Sequence, residues 1–365
     1  MNILYLSNLS GLLWNGPNNS IPAQIHAQSK IDNVFWFNYN QAKRKEWNDN
    51  LDCKNLQDIP NPHLSKFPIP FNTPDIVVVE EFYEFPFNKL IKEIQKKHIP
   101  YVIIPRSQMT VLAQHHKYFK KKIANFFYFN NLVKKASAIE YLTENEKKES
   151  ISQWKKENFI IPNGIDLPHS CERNFSTNGN INASYIGRID VYQKGLDLLL
   201  DSLSEIKDKL LEKKFFITFY GPSKEKDLDV LKKKVIKLKI ESLVCFENAV
   251  FGEKKQEILL NTDVFVMTSR FEGLPMGLIE ALAYGTPCIV TNGTNMSIEI
   301  AKADAGWTAE NNKESIKSAL LRMIVENDFS KKGRNAFELA KKYSWVKIAQ
   351  KTHDIYEKII KNDFV

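Results

Sequence analysis

Short apolar runs recur along this chain, and the segments between them alternate turn-forming stretches with helical patterns. In the first half, Ile3 to Ser7, Asp75 to Val79, Tyr101 to Ile104 and Ala138 to Leu142 read as buried strands. Asn8 to Pro22 is rich in turn residues, Gly11 and Gly16 among them, and a helical pattern covers Ala23 to Lys30. A further helix is expected over Asn88 to Lys97, and Thr143 with Glu146 spells the capping box of another. Phe159 to Asp166 reads as a strand ending in an Asn-Gly turn, followed by an Asn-rich segment without clear patterning up to Asn182. In the second half, strands are expected at Ala183 to Gly187, Phe215 to Tyr220, Val244 to Phe246, Val264 to Met267 and Cys288 to Thr291. Helices are expected after Lys194, over Lys224 to Lys239, over Met276 to Tyr284 and over Trp345 to Ile360. In the last of these Ile348, Ile355, Tyr356 and Ile359 recur on a helical period. Strand, helix and strand in succession predict βαβ units with right-handed crossovers, and so parallel α/β sheets.

One such unit, Thr268 to Asn292, carries the densest chemistry. Pro275 suits the first turn of its helix, and Gly285 followed by Pro287 supplies a stop. The loop Ser269 to Leu274 then lies outside the carboxyl edge of a parallel sheet, where ligands of such sheets bind. Glu272 precedes the helix and Glu280 lies two turns into it, roughly 80° away if both were helical, so the two carboxylates cannot do the same job. Gly273 leaves room for a ligand to approach the backbone. The N–H groups of Leu274, Met276 and Gly277 at the helix start favour an anion or sugar hydroxyls. Alone, two glutamates at this spacing also fit a helix-terminal charge and a solvated surface residue.

The string SRFEGLPMGLIEALAYGTPCIV resembles the E-x7-E region of the large retaining glycosyltransferase family of the two-Rossmann-domain type, family 4 of the GT-B glycosyltransferases. Upstream, Gly187 and Arg188 followed by Lys194 and Gly195 resemble that family's diphosphate-binding motif. A planar guanidinium and a mobile ammonium there suit the negative charge that builds on a leaving diphosphate. The resemblance implies two doubly wound Rossmann-like domains facing each other across a cleft. An acceptor domain is expected over 1–162 with a returning helix at 346–365, and a nucleotide-sugar donor domain over 163–345.

The resemblance also implies roles. Glu280 would bond the ribose hydroxyls, Arg188 and Lys194 would hold the diphosphate, and Glu272 with Gly273, Leu274, Pro275, Met276 and Gly277 would orient the sugar. The loop Glu247 to Val250, with Asn248 and Val250, is similar to the segment whose backbone holds the base. GPNNS, beginning at Gly16, is only similar to the family's first glycine loop. Many relatives carry a histidine or P-R-G segment after the strand that corresponds to Tyr101 to Ile104, whereas this chain has Pro105, Arg106 and Ser107, so Arg106 is placed at the site. His115 and His116 are expected on an exposed helix. The mechanism implied is same-face transfer from a nucleotide diphosphate sugar to a glycan hydroxyl, with no metal or other cofactor.

Composition narrows the setting. Four cysteines without metal-ligand spacing, Cys53, Cys171, Cys245 and Cys288, are expected as free thiols. MNILYLSNLS has no basic leader region, so it is expected to be a strand rather than a signal peptide, in a cytoplasmic protein. A net charge of +8 has no nucleic-acid motif beside it and fits phosphate-bearing substrates or an anionic membrane. From His115 to Lys135 six lysines mix with six aromatic residues. This stretch either lies on an anionic inner-membrane surface, where a polyprenyl-diphosphate-linked glycan is presented, or keeps Phe126, Phe127 and Phe129 in the core with solvated lysines outside. The setting expected is O-antigen or capsule assembly. Two other readings are a non-catalytic partner subunit that binds glycan or protein, and a sugar-nucleotide 2-epimerase of similar architecture.

Overall fold

A computed structural model describes residues 1–12, 16–47, 53–84, 87–115, 117–168, 175 and 179–364. His116 and Cys171 lie outside the described residues. The chain divides into two compact units, Met1–Gly164 with Trp345–Val365, and Ile165–Ser344.

The first unit is built on seven parallel strands: β1 Asn2–Ser7, β2 Asn33–Asn38, β3 Cys53–Asn55, β4 Ile76–Glu80, β5 Tyr101–Ile104, β6 Ala138–Tyr141 and β7 Asn158–Ile160. Their order is β3-β2-β1-β4-β5-β6-β7. Alternate residues of β1 enter different cores: Leu4 and Leu6 pack with Phe35, Phe37 and Phe82, whereas Ile3 and Tyr5 pack with Ile21, Ile25 and Tyr356. Burial on both faces is why the strands read as continuous apolar runs rather than alternating ones.

The helix expected from Ala23 instead begins at Pro17 and runs to Ser29. Pro17 is tolerated because a first-turn N–H has no helical partner anyway. Pro22, inside the helix, cannot bond to the carbonyl of Asn18, and that oxygen is taken by the indole N–H of Trp47 at 3.1 Å. The Thr143 hydroxyl accepts from the Glu146 N–H as a cap should, but the Glu146 carboxylate bonds the N–H groups of Leu142 and Ser107 rather than that of Thr143.

Residues 118–135 form a helical run, Tyr118–Ala124 and Asn130–Lys135 joined by a π-helical turn at Asn125–Phe129. Of the three phenylalanines assigned to the core in one reading, only Phe129 is buried there. Phe126 is 74% exposed and Phe127 78%, beside Phe119 at 79% and Ile123 at 61%. Their spacing of four, three and one residues keeps them on the solvent side of the run.

The second unit has six parallel strands: β8 Ile181–Ile186, β9 Phe215–Tyr220, β10 Val244–Glu247, β11 Val264–Met267, β12 Cys288–Thr291 and β13 Gly306–Ala309. They are ordered β10-β9-β8-β11-β12-β13. In both units the order reverses beside the first strand, at β1/β4 and at β8/β11. These are the switch points where the loops leaving two neighbouring strands diverge and open a crevice. Among the described residues Cys53, Cys245 and Cys288 form no disulfide.

Candidate functional site

At the switch point of the second unit, the loop after β8 meets the loop after β11. Gly195 makes the approach possible: its φ is +60°, and a Cβ there would lie 2.1 Å from the carbonyl oxygen of Thr268. Gly277 does the same for the helix Met276–Ala283, since a Cβ would lie 2.6 Å from the carbonyl of Ile186 at the end of β8. Gly187 is enclosed by Tyr185, whose hydroxyl donates to the carbonyl of Arg188 at 2.7 Å. Gly273, in contrast, faces open space.

Three groups converge on Glu272. Lys194 Nζ and Ser269 Oγ each donate to its Oε1 at 2.5 Å, and Asn295 Nδ2 donates to its backbone carbonyl at 2.5 Å. Both ionic partners are largely shielded, their side chains 12% and 8% exposed. Tyr185 is held protonated, its pKa raised chiefly by burial and then by the charge of Glu272. Arg270 braces the loop from outside: it makes a bidentate pair with Asp197 at 2.7 and 2.8 Å, and its N–H donates to the Gln193 carbonyl. Arg188 is exposed, and among the described residues its guanidinium donates to the Gln193 side-chain oxygen, at 2.5 Å.

The helix start differs in one detail from expectation. Pro275 precedes the helix, at φ −81° and ψ 80°, rather than forming its first turn. That is inverse γ-turn geometry, and the Met276 N–H is accordingly taken by the Leu274 carbonyl at 3.0 Å. It is therefore not one of the free donors expected at this helix start. Glu280 faces the helix Gly252–Leu260 and forms an ion pair with Lys255. Asn248 and Val250 line a separate cavity of about 380 Å³ with Tyr220, Cys245 and Lys254.

The remaining expected residues belong to the first unit. Gly16 caps the Pro17–Ser29 helix, its carbonyl accepting from Asn19 and Ser20. Arg106 is buried and its guanidinium is spent on protein groups: Nε on Glu80 at 2.8 Å, Nη1 on Ser20 and Asn163, Nη2 on Gln24. It holds the carboxyl edge of that sheet together, so the position expected to face a reacting sugar instead carries a bracing residue. His115 is exposed at a helix end.

Sequence reasoning did not single out Ser269, Asn295 or Lys255, whose roles depend on chain segments approaching in space. Nor did it single out Glu81 and Glu84 at the carboxyl end of β4. Burial raises the Glu81 carboxyl to about 7, with Glu84 adding to the effect. Glu84 accepts from Asn8 at 2.5 Å, and Glu81 from Gln108 at 3.3 Å. The acidic run that follows the apolar residues of β4 was the available signal.

The Lys194–Glu272 pair thus lies between the first βα loop and a glycine-bearing helix start, at a switch point of the kind where doubly wound sheets bind ligands. Residues 173–342 match the family model described as glycosyl transferases group 1. Mannosylfructose-phosphate synthase of Agrobacterium fabrum is 34% identical over 110 residues, which are 29% of this chain and 24% of that protein. UDP-Gal:alpha-D-GlcNAc-diphosphoundecaprenol alpha-1,3-galactosyltransferase of Escherichia coli is 34% identical over 109 residues, 29% of this chain and 28% of that one. The chain thus spans about a quarter of the length of these two curated relatives. The lipopolysaccharide outer core galactosyltransferase WaaB has the same fold, with a TM-score of 0.67 at 15% identity over 99% of both chains. The fold is thus the one this galactosyltransferase has, and the match to the glycosyl transferases group 1 model falls on the second unit.

Proposed function

We propose that the chain moves a sugar from a nucleotide diphosphate sugar to a hydroxyl of a glycan acceptor, with retention at the anomeric carbon, as a member of family 4. The observation that carries this reading is the Lys194–Glu272–Ser269 cluster at the second switch point. In the proposed reaction the bond from the anomeric carbon to the diphosphate oxygen breaks and its electron pair stays on that oxygen. Lys194, released from Glu272, and Arg188, free to swing from Gln193, meet the charge that develops there. These two cations let the reading run without a metal. The acceptor oxygen attacks on the same face, and its proton passes to the departing phosphate. Glu272 and the backbone from Gly273 to Gly277 hold the sugar, and Glu280 holds the ribose once Lys255 lets go.

The acceptor in this reading is lipid-linked, and the setting is O-antigen or capsule assembly at the cytoplasmic face of a membrane. Support comes from the solvent-facing Phe119, Ile123, Phe126 and Phe127, set in a run from 111 to 135 that has lysines and no acidic residue. Aromatic and basic side chains together suit an anionic interface. The E. coli relative is named for a diphosphoundecaprenol substrate, which agrees with this acceptor class. No helix among the described residues is long and apolar enough to cross a membrane.

A thermal-shift and hydrolysis screen against UDP-, GDP-, dTDP- and ADP-sugars with EDTA present tests the donor side. Selective stabilisation by one nucleoside diphosphate class is expected. Silence across the panel, with folded protein, would count against the donor site.

A further inference from the structure

Beside the Lys194–Glu272 pair the two loops carry aromatic side chains that the reaction as drawn leaves idle. Tyr192 lies two residues before Lys194 and is 67% exposed, and Phe271 lies immediately before Glu272 and is 47% exposed. The segments that carry them are laced together. The Arg270 N–H donates to the Gln193 carbonyl at 2.8 Å, the Gln193 side-chain amide donates to the Phe271 carbonyl at 3.5 Å, and Arg270 Nη1 donates to the Tyr192 carbonyl at 2.7 Å. Both rings therefore rise from one short, braced stretch next to the proposed reacting centre.

Single exposed aromatic side chains are ordinary on a protein surface. These two differ in being braced and unspent. The Arg270 guanidinium lies 4.6 Å from the Tyr192 ring centroid and is itself fixed by the bidentate pair with Asp197, so the ring is set in place before a ligand arrives. The Arg270 carbonyl accepts from Asn311 at 3.2 Å and stands 2.3 Å from where a Cβ on Gly293 would be, which fixes the backbone beside Phe271 as well. Among the described residues no other ring packs on Phe271, and the Tyr192 hydroxyl has no hydrogen-bond partner. Preset rings with two side-chain torsions each give apolar contact at little entropic cost.

The chemistry of the neighbourhood selects the ligand. An aromatic ring has a negative face, and one face of a pyranose presents C–H groups of the opposite polarity, so a sugar ring stacks on it. A nucleobase would also stack. The segment expected to hold the base, however, follows β10, which β9 separates from β8, whereas these rings follow β8 and β11. The donor sugar is placed on Glu272 and the backbone from Gly273 to Gly277, past Phe271 in the loop. In same-face transfer the incoming hydroxyl approaches beside the departing diphosphate, and Tyr192 lies in the loop between Arg188 and Lys194, the two cations that would meet that diphosphate. We propose that Tyr192 and Phe271 form an aromatic platform on the second unit that stacks a pyranose ring of the acceptor, with Arg270 as the positioning residue behind Tyr192. This rests on the transfer reading above and adds to it the residues that read the acceptor.

Saturation-transfer NMR of the full chain with the methyl glycosides of glucose, galactose, mannose and N-acetylglucosamine tests it, with titrations to give affinities. Wild type is expected to bind at least one of them. Tyr192→Ala should weaken that binding about tenfold and Phe271→Ala about fivefold, as loss of an anchoring ring does. Tyr192→Phe, which keeps the ring, should stay within about threefold. Val325→Ala, which trims an exposed apolar side chain on the helix Lys313–Glu326 of the same unit, should change nothing. Arg270→Lys gives up the bidentate pair and should cost about threefold with Tyr192 present and nothing in the Tyr192→Ala background, a dependence that a general bracing role would not show.

Equal binding by wild type and Tyr192→Ala would overturn the platform, and so would absence of binding by wild type across the panel. A loss in Tyr192→Phe as deep as in Tyr192→Ala would mean that the hydroxyl is read and would overturn stacking. The glycoside signal is expected to persist when the nucleotide sugars of the thermal-shift screen are added; its loss would reassign the rings to the donor sugar and overturn the acceptor assignment. The thermal midpoint of each variant, measured alongside, reports intact folding. Nucleoside diphosphate stabilisation is a separate readout. Its absence, with ring-dependent glycoside binding intact, would sink the transfer reading and leave a sugar platform standing, whereas its presence with glycoside binding indifferent to Tyr192 would sink this inference alone.

Discussion

Lys194 Nζ lies 2.5 Å from Glu272 Oε1 although 78 residues separate the two in sequence, and Ser269 donates to the same oxygen. The ammonium that the proposed reaction needs at the diphosphate is thus stored on a carboxylate. Lys194→Ala is expected to lower turnover by about a hundredfold. It should also destabilise the second unit by about 3 kcal/mol, because a shielded carboxylate loses its counter-charge. Initial rates and urea unfolding check both, and an unchanged unfolding midpoint would mean that the pair is not held as described.

Glu280 and Lys255 give a test in opposite directions. Glu280→Ala should weaken nucleotide binding about tenfold or more. Lys255→Ala should tighten it by a smaller factor, because the carboxylate no longer has to leave a partner. Calorimetric titration of the nucleoside diphosphate reads both. Weakening in both variants would place Lys255 on the nucleotide rather than in competition with it.

Gly273 and Gly277 stand four residues apart and predict different failures. A methyl group at Gly277 meets the Ile186 carbonyl at 2.6 Å, so Gly277→Ala is expected to cost about 1–3 kcal/mol of stability. Gly273 faces open space, so Gly273→Ala should leave stability within about 0.5 kcal/mol and reduce only binding of the donor sugar. Chemical unfolding beside donor binding separates them.

Glu140 makes the first unit sensitive to pH. Burial raises its carboxyl from 4.5 to about 8, with the charge of Glu80 adding to the effect, while the Tyr356 hydroxyl, Arg106 and Lys351 oppose it. The unfolded chain releases this proton near 4.5 and the folded chain holds it to about 8. In that window the folded state binds more protons, so stability is greatest below it and falls as pH rises, by at most about 1.4 kcal/mol per pH unit. Glu140→Gln keeps an acceptor for Tyr356, which donates at 2.8 Å, and should flatten the decline. Unfolding midpoints at pH 5 and pH 8 measure it; an unchanged slope would mean that other groups carry the pH dependence.

Arg106 should matter to folding and not to the nucleotide. Arg106→Met leaves Glu80 buried without its 2.8 Å partner, at an expected cost of about 3–5 kcal/mol. Nucleotide affinity at the second unit should stay within twofold. A variant of normal stability that had lost transfer would restore Arg106 to the reacting centre.

Much of the second unit was legible because β9, β11 and β12 are short runs of branched or aromatic residues with turn residues on either side. Glycine at 195 and 285 and proline at 275 mark where the chain must bend. The strands β2, β3 and β13 were not read from sequence. β2 begins and ends in asparagine, and β3 and β13 are short edge strands with few apolar residues. The start of the first helix was hidden because Pro22 reads as a breaker, and only the tertiary approach of Trp47 shows how its loss is repaired. Lys194 and Glu272 could be picked out by their motifs. Their mutual contact, the pairing of Glu280 with Lys255 and the saturation of Arg106 could not, since each depends on the separation of side chains far apart in sequence.

The ends of the second unit lie side by side: Ile165 bridges Ser344, and Trp345 packs where a Cβ on Gly164 would have to be. That unit is consequently an insertion between the body of the first unit and its closing helix, Trp345–Ile360. On the ribosome, residues 1–164 emerge first yet wait longest. Their Ile3 and Tyr5 face is covered only in part, by Ile21 and Ile25, and Glu140 lacks Tyr356, until the segment from Trp345 has been synthesised. The later-made unit can close before the earlier one, and a polypeptide stopped short of Trp345 would present a half-covered sheet to the cell's chaperones.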